Sequence, residues 1–240
     1  MNNSNGMMNQ LAKLGLLLML GVSMSACSSS KSWKEEVQLH DGRVIVVERH
    51  INLAAPSIDV GRQELDERVT FTPPDSKNEI TWKSDFNKIP DDPQGLLGIQ
   101  LLDIVNGTPY IATRPVGCIG FNRWNRPNPP YVFFKYEGDK WKRIALEEFP
   151  AELSRSNVIL SSPPTELLKS LYTVEQVNAQ NNDGVRAEGC KTIIRTPFAI
   201  EENRCPELVP IKGGGWESPG GIKRMIPLAP LQPNDGKNKN

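Results

Sequence analysis

Only His40 and His50 can supply an imidazole in this 240-residue chain, and acid–base or nucleophilic chemistry near neutral pH commonly draws on one. His40 abuts an Asp41-Gly42 turn and His50 ends a β-rich run, so both read as exposed polar residues. No Gly-x-Ser-x-Gly elbow is present to complete a hydrolytic triad. Adjacent acids occur at Glu35-Glu36, Asp91-Asp92, Glu147-Glu148 and Glu201-Glu202. Neighbours on a strand point to opposite faces, so Glu35 and Glu36 cannot share a substrate, and these pairs read as solvated surface. Gly213-Gly214-Gly215-Trp216 lacks the Lys-Ser/Thr of a phosphate loop and reads as a bend anchored by Trp216. No catalytic residue, metal site or cofactor follows from these motifs.

Two sets remain. Arg123, Trp124 and Arg126 sit in Asn122-Arg-Trp-Asn-Arg-Pro-Asn-Pro-Pro130. Two cations flanking an aromatic on a proline-stiffened segment could form a recognition edge for an acidic or sugar-like ligand. The competing reading is a rigid connector with Trp124 filling the edge of a core. Of the cysteines, Cys190 and Cys205 are close in sequence and are the candidate disulfide, a short loop whose closure would contribute about 3 kcal/mol. The alternative is that Cys118, Cys190 and Cys205 are buried free thiols.

The elements that must position these residues are mostly hairpins. Trp33 to Leu39 alternates, with Trp33, Val37 and Leu39 on one face; Asp41-Gly42 then turns the chain into Val44–Glu48. Leu97–Val105 returns through Asn106-Gly107 into Tyr110–Thr113, and Tyr131–Tyr136 through Glu137-Gly138-Asp139-Lys140 into Trp141–Leu146. Weaker strand candidates are Arg68–Thr72, Glu79–Trp82, Asn157–Leu160 and Thr192–Arg195. Pro163–Gln180 reads as the one helix, with an apolar stripe of Leu167, Leu168, Leu171, Val174 and Val177. The spacing predicts a mainly β fold, a sandwich-like or bent antiparallel sheet built from hairpins with one packed α-helix. A single domain over 33–226 suffices for one core, followed by a Pro-rich, disordered tail over 227–240.

Twenty-eight Lys+Arg balance 28 Asp+Glu, which excludes a strongly basic nucleic-acid binder. The balance is uneven, because residues 1–26 hold one Lys and no acid. Leu14–Val22 is a nine-residue apolar run, far short of the roughly 20 residues a spanning helix needs and suited to the core of an export signal. Met24-Ser25-Ala26-Cys27 follows directly. Small residues before a Cys at that place resemble the lipobox of bacterial lipoproteins, although Met24 departs from the usual Leu.

The resemblance implies cleavage before Cys27, lipid on its thiol and new amino group, and a flexible tether over 27–32. Ser28 in place of Asp implies an outer-membrane anchor, facing the periplasm. The segments Trp33–Arg49 and Pro129–Tyr136 running into Trp141–Ile144 also resemble a group of uncharacterised proteobacterial lipoproteins, which imports no site residues. The expected function is an envelope-anchored binding or structural module. Its partners would be the membrane, through the N-terminal lipid, and another envelope protein or a glycan. An anchored periplasmic hydrolase, its site assembled from scattered Asp, Glu and Ser, is the alternative.

Overall fold

The computed structural model describes residues 29–54, 64–85, 95–182, 191–197, 205–210 and 216–217. The proposed signal, Cys27, Cys190 and the 227–240 tail lie outside them.

Trp33 and Val37 point inward from β1 (Ser29–Gln38), as does Leu39 just past its end, and Lys34 and Gln38 point out. β1 pairs antiparallel with β2 (Val44–Leu53) along its full length. The turn between them has a three-residue loop: Gly42 N–H donates to Leu39 O at 3.0 Å and Leu39 N–H to Arg43 O at 2.8 Å. Only Gly42, at φ 88°, needs the left-handed region there. The other two predicted turns are two-residue turns with positive φ at both positions, Asn106-Gly107 (49° and 76°) and Gly138-Asp139 (both 59°).

The first sheet continues with β3 (Glu64–Phe71) and β4 (Ile80–Asp85) in the order β4-β3-β2-β1, and a short β9 (Leu171–Tyr172) is added parallel to β1. The second sheet is an antiparallel meander of β5 (Leu97–Val105), β6 (Thr108–Pro115), β7 (Val132–Glu137) and β8 (Lys140–Ile144). A two-stranded piece, β10 (Val209–Pro210) with β11 (Trp216–Glu217), stands apart from both. The fold is therefore mainly β and sandwich-like. Val37, Val47, Val69 and Trp82 of the first sheet share one core with Leu97, Leu102, Ile111 and Phe134 of the second, each such side chain contributing about 1.5–3 kcal/mol by leaving water. The far face of the second sheet buries Phe133, Phe149, Leu153 and Ile193.

Several expectations need correction. Ser29 to Ser32 are the first residues of β1 and pair with Leu53 to His50, so they are not a flexible tether. Lys31 is buried there and binds Glu64 at 3.0 Å. Two helices are described where one was expected, and the additional one spans Gly117–Arg123.

The predicted helix over 163–180 is only Val174–Asn182. Its start is fixed by a reciprocal cap: Thr173 N–H donates to Gln176 Oε1 at 3.2 Å, and Gln176 N–H to Thr173 Oγ1 at 3.4 Å. Ahead of it, Ser170 O accepts from Lys34 N–H at 3.0 Å. Leu171 pairs with β1, so the apolar stripe was never one helical face.

Asn157–Leu160 is not a strand, because side chains take its backbone groups. Val158 O accepts from Asn181 Nδ2 at 2.7 Å, and Ile159 N–H donates to Glu35 Oε1 at 3.3 Å. Thr192–Arg195 makes only an isolated bridge, Thr192 to Arg155.

Candidate functional site

The turn after β1, strand β5, the 152–157 loop and the Val174–Asn182 helix enclose a cleft of about 180 Å³. His40, Asp103, Glu36, Ser154, Ser156 and Asn157 are among its lining residues. Asp103 is buried with 4% of its side chain exposed, and His40 is the more open at 28%. The carboxylate grips His40 twice: the ring Nδ1–H donates to Oδ1 at 2.7 Å and the main-chain N–H to Oδ2 at 2.8 Å. Ile104 N–H adds a third bond to Oδ1 at 2.7 Å.

This grip fixes the imidazole orientation and leaves Nε2 on the far edge of the ring without a partner among the described residues. A carboxylate-held imidazole is the orienting half of a nucleophilic triad. Of the two glutamates lining the cleft, Glu36 is engaged, its Oε2 accepting from Val174 N–H at 3.0 Å at the start of the helix, and Glu152 is exposed.

Sequence reasoning missed this pair. The available signal was Asp103 itself, a lone acid inside an apolar strand, since such residues are seldom buried unless paired. His50 offers nothing comparable. Ser32 Oγ lies 2.7 Å from its Nδ1 and Asn52 Oδ1 3.1 Å from its Nε2, so both ring nitrogens are engaged.

Nearby, Asn157 joins the two sheets. Its Nδ2 donates to Gln38 O of β1 at 3.0 Å and Leu102 O of β5 at 2.8 Å, while Leu102 N–H donates to its Oδ1 at 3.0 Å.

The Arg123, Trp124 and Arg126 segment is brought together differently from a ligand edge. Trp124 is buried in the inter-sheet core, donates Nε1–H to Gly95 O at 2.9 Å and meets Phe134 edge-on. Arg126 turns toward the 205–208 segment, donating to Cys205 O at 3.0 Å, Pro206 O at 3.2 Å and Asn122 Oδ1 at 3.1 Å. Arg123 ends the helix, half-buried. The connector reading therefore describes Trp124 and Arg126.

The same segment carries the disulfide. Cys205 bonds Cys118, with Cα atoms 5.2 Å apart across a sequence separation of 87, so the expected Cys190–Cys205 pairing is wrong. Helix Gly117–Arg123 presents Cys118 to a chain segment that Asn122 also holds, donating from Nδ2 to Pro206 O at 2.9 Å and accepting from Leu208 N–H at 3.0 Å. Proximity in sequence misled, because this docking decides which sulfur Cys205 meets.

Glu35 was expected at the surface and is fully buried. Diagonal neighbours on β1, β2 and β3 assemble a Glu35–Arg49–Glu67 triad on the inner face of the first sheet. Arg49 Nη1–H donates to Glu35 Oε1 at 2.9 Å and Nε–H to Glu67 Oε1 at 2.7 Å, with Nη2 also on Glu67. Trp33 Nε1–H donates to Glu35 Oε2 at 2.8 Å, and the guanidinium lies 5.2 Å over its ring. Burial pushes the Glu67 carboxyl above its ordinary range against the pull of Arg49, with Glu35 and Glu64 adding to the rise. Burial opposes the charge of Arg49, and Glu67 and Glu35 together overcome it and raise its pKa. The triad is sealed from solvent, so its perturbed carboxyl faces no substrate.

Among the described residues, no helix is long and apolar enough to cross a membrane, and no group of three or more His, Cys, Asp or Glu is placed to hold a metal. Comparison with known proteins gives no relative: no family model, curated protein or solved structure matches the chain.

Proposed function

We propose that the chain is a lipid-anchored β-sandwich of the bacterial envelope that binds or spaces another envelope component. The observation that carries this reading is where the fold starts. Met24-Ser25-Ala26-Cys27 stands two residues ahead of Ser29, the first residue of a fully paired strand. A folded unit starting that close to an acylated Cys27 would be held against its membrane. Two or more acyl chains give durable attachment, at about 0.8 kcal/mol per buried methylene.

A binding role is supported by how the carboxylates are used. Glu35 and Glu67, both deeply buried, are committed to Arg49 and sealed from solvent. Labelled palmitate should enter the wild-type chain and be absent from Cys27→Ser, which should leave the membrane fraction. Wild type without label, or a Cys27→Ser chain that stays in the membrane, would overturn the anchoring.

One observation favours the hydrolase as a second reading: the Asp103-held His40 shares its cleft with Ser154 and Ser156. A fluorophosphonate probe would then label one of these serines, and His40→Ala would abolish the labelling. An unlabelled wild-type chain would remove this reading.

A further inference from the structure

We infer that the loop Pro163–Leu171 is a second membrane contact, with Leu167 seated in the interfacial layer of the bilayer that holds Cys27. This rests on the anchoring proposed above.

The direction of β9 supplies the first argument. It runs parallel to β1 with Leu171 opposite Lys34, so the residues preceding Leu171 lie toward the Ser29 end of β1. Lys31 places them there: its Nζ–H donates to Ser162 Oγ at 2.7 Å and to Pro163 O at 3.4 Å. Lys31 is four residues after Cys27, a span of at most about 14 Å for extended chain. The loop is therefore within reach of the headgroup layer.

Exposure is the second argument. Leu167 is 66% exposed and Leu171 41%, and Leu167 is the most exposed large apolar side chain among the described residues. Pro164 beside them is exposed as well.

The loop is held rigid in this pose. Tyr172 Oη–H donates to Leu167 O at 3.3 Å and accepts from Lys169 N–H at 3.2 Å, while Leu168 packs against the buried Trp33–Ile159 cluster. Leu168 is thus turned inward and Leu167 outward by the same short turn, Thr165–Leu167. Exposed Lys34 and Lys169 flank the apolar tip, cations that can meet lipid phosphates, against exposed Glu166 and against Glu48, which stands opposite Lys34 on β2. An exposed apolar tip next to a lipid attachment point matches a bilayer interface in both polarity and position.

The test uses the full-length lipidated chain in cells, with benzoylphenylalanine in place of Leu167, Leu171 or Asp41. Asp41 lies beyond the far end of β1. Irradiation should give phospholipid adducts at 167 and 171 and none at 41, and Leu167→Glu should reduce the adduct formed at 171 several-fold. If Cys27 carries palmitate but position 167 gives no lipid adduct, or gives an adduct to a protein, the membrane contact is wrong and the anchoring stands. If Cys27 carries no palmitate, the anchoring fails and this contact with it.

Discussion

Arg49→Met removes the central charge of the buried triad while keeping an unbranched apolar stem in its place. Arg49 satisfies two carboxylates and donates to Ile159 O at 3.3 Å. Removing it leaves Glu35 and Glu67 buried on the two strands flanking β2 without a cation between them. Breaking a buried pair in this way costs about 3–5 kcal/mol. For a chain of this size each kcal/mol moves Tm by about 2–4 °C, so a drop of roughly 6–20 °C is expected.

The penalty should depend on pH. Burial already holds the folded-state pKa of Glu67 above its ordinary value of 4.5, and losing the guanidinium that pulls it down raises it further. The folded chain then binds more protons than the unfolded one, and stability falls as pH rises from about 4.5. The variant should therefore lie closer to wild type at pH 5 than at pH 8. The control is Glu35→Gln with Arg49→Met and Glu67→Gln, which removes the charges but keeps an acceptor for Trp33 Nε1. Urea denaturation followed by tryptophan fluorescence reads all three proteins. If the neutral triple variant is as unstable as Arg49→Met, or the single variant costs under about 1 kcal/mol at pH 8, the charge argument is wrong.

Cys118→Ala should cost about 4.6 kcal/mol in the loop-entropy model, and a non-reducing peptide map of wild type should join Cys118 to Cys205 and leave Cys190 out of that bridge. Gly120→Ala should destabilise by about 1–3 kcal/mol in thermal melts, because its Cβ would sit 2.9 Å from Leu96 O. Asp103→Ala leaves the buried main-chain N–H of Ile104 and the N–H of His40 without an acceptor, and should cost about 1–3 kcal/mol. Asn157→Ala should cost a similar amount and raise amide exchange at Leu102, whose N–H it accepts.

The hairpins were legible because their signals are local. Asn106-Gly107 and the alternation of Trp33, Val37 and Leu39 state turn and face without reference to the rest of the chain. Pro163–Leu171 was misread because helix periodicity and an irregular apolar loop look alike until Leu171 finds β1. The His40–Asp103 pair was not legible, since 63 residues separate its members and only the packing of one sheet on the other joins them. Glu35 was misjudged for a related reason. Alternation put it on the face of Trp33 and Val37, and only Arg49 on the neighbouring strand makes that position tolerable.

The Cys118–Cys205 bond closes a ring around β7, β8, β9 and the Val174–Asn182 helix. β6, outside the ring, pairs with β7 inside it. A protease that nicks the chain anywhere within that ring therefore frees nothing. Both pieces stay joined covalently and through the sheet, and the nicked molecule migrates as a single species until the bond is reduced. Damage to this part of the molecule would be invisible on a non-reducing gel.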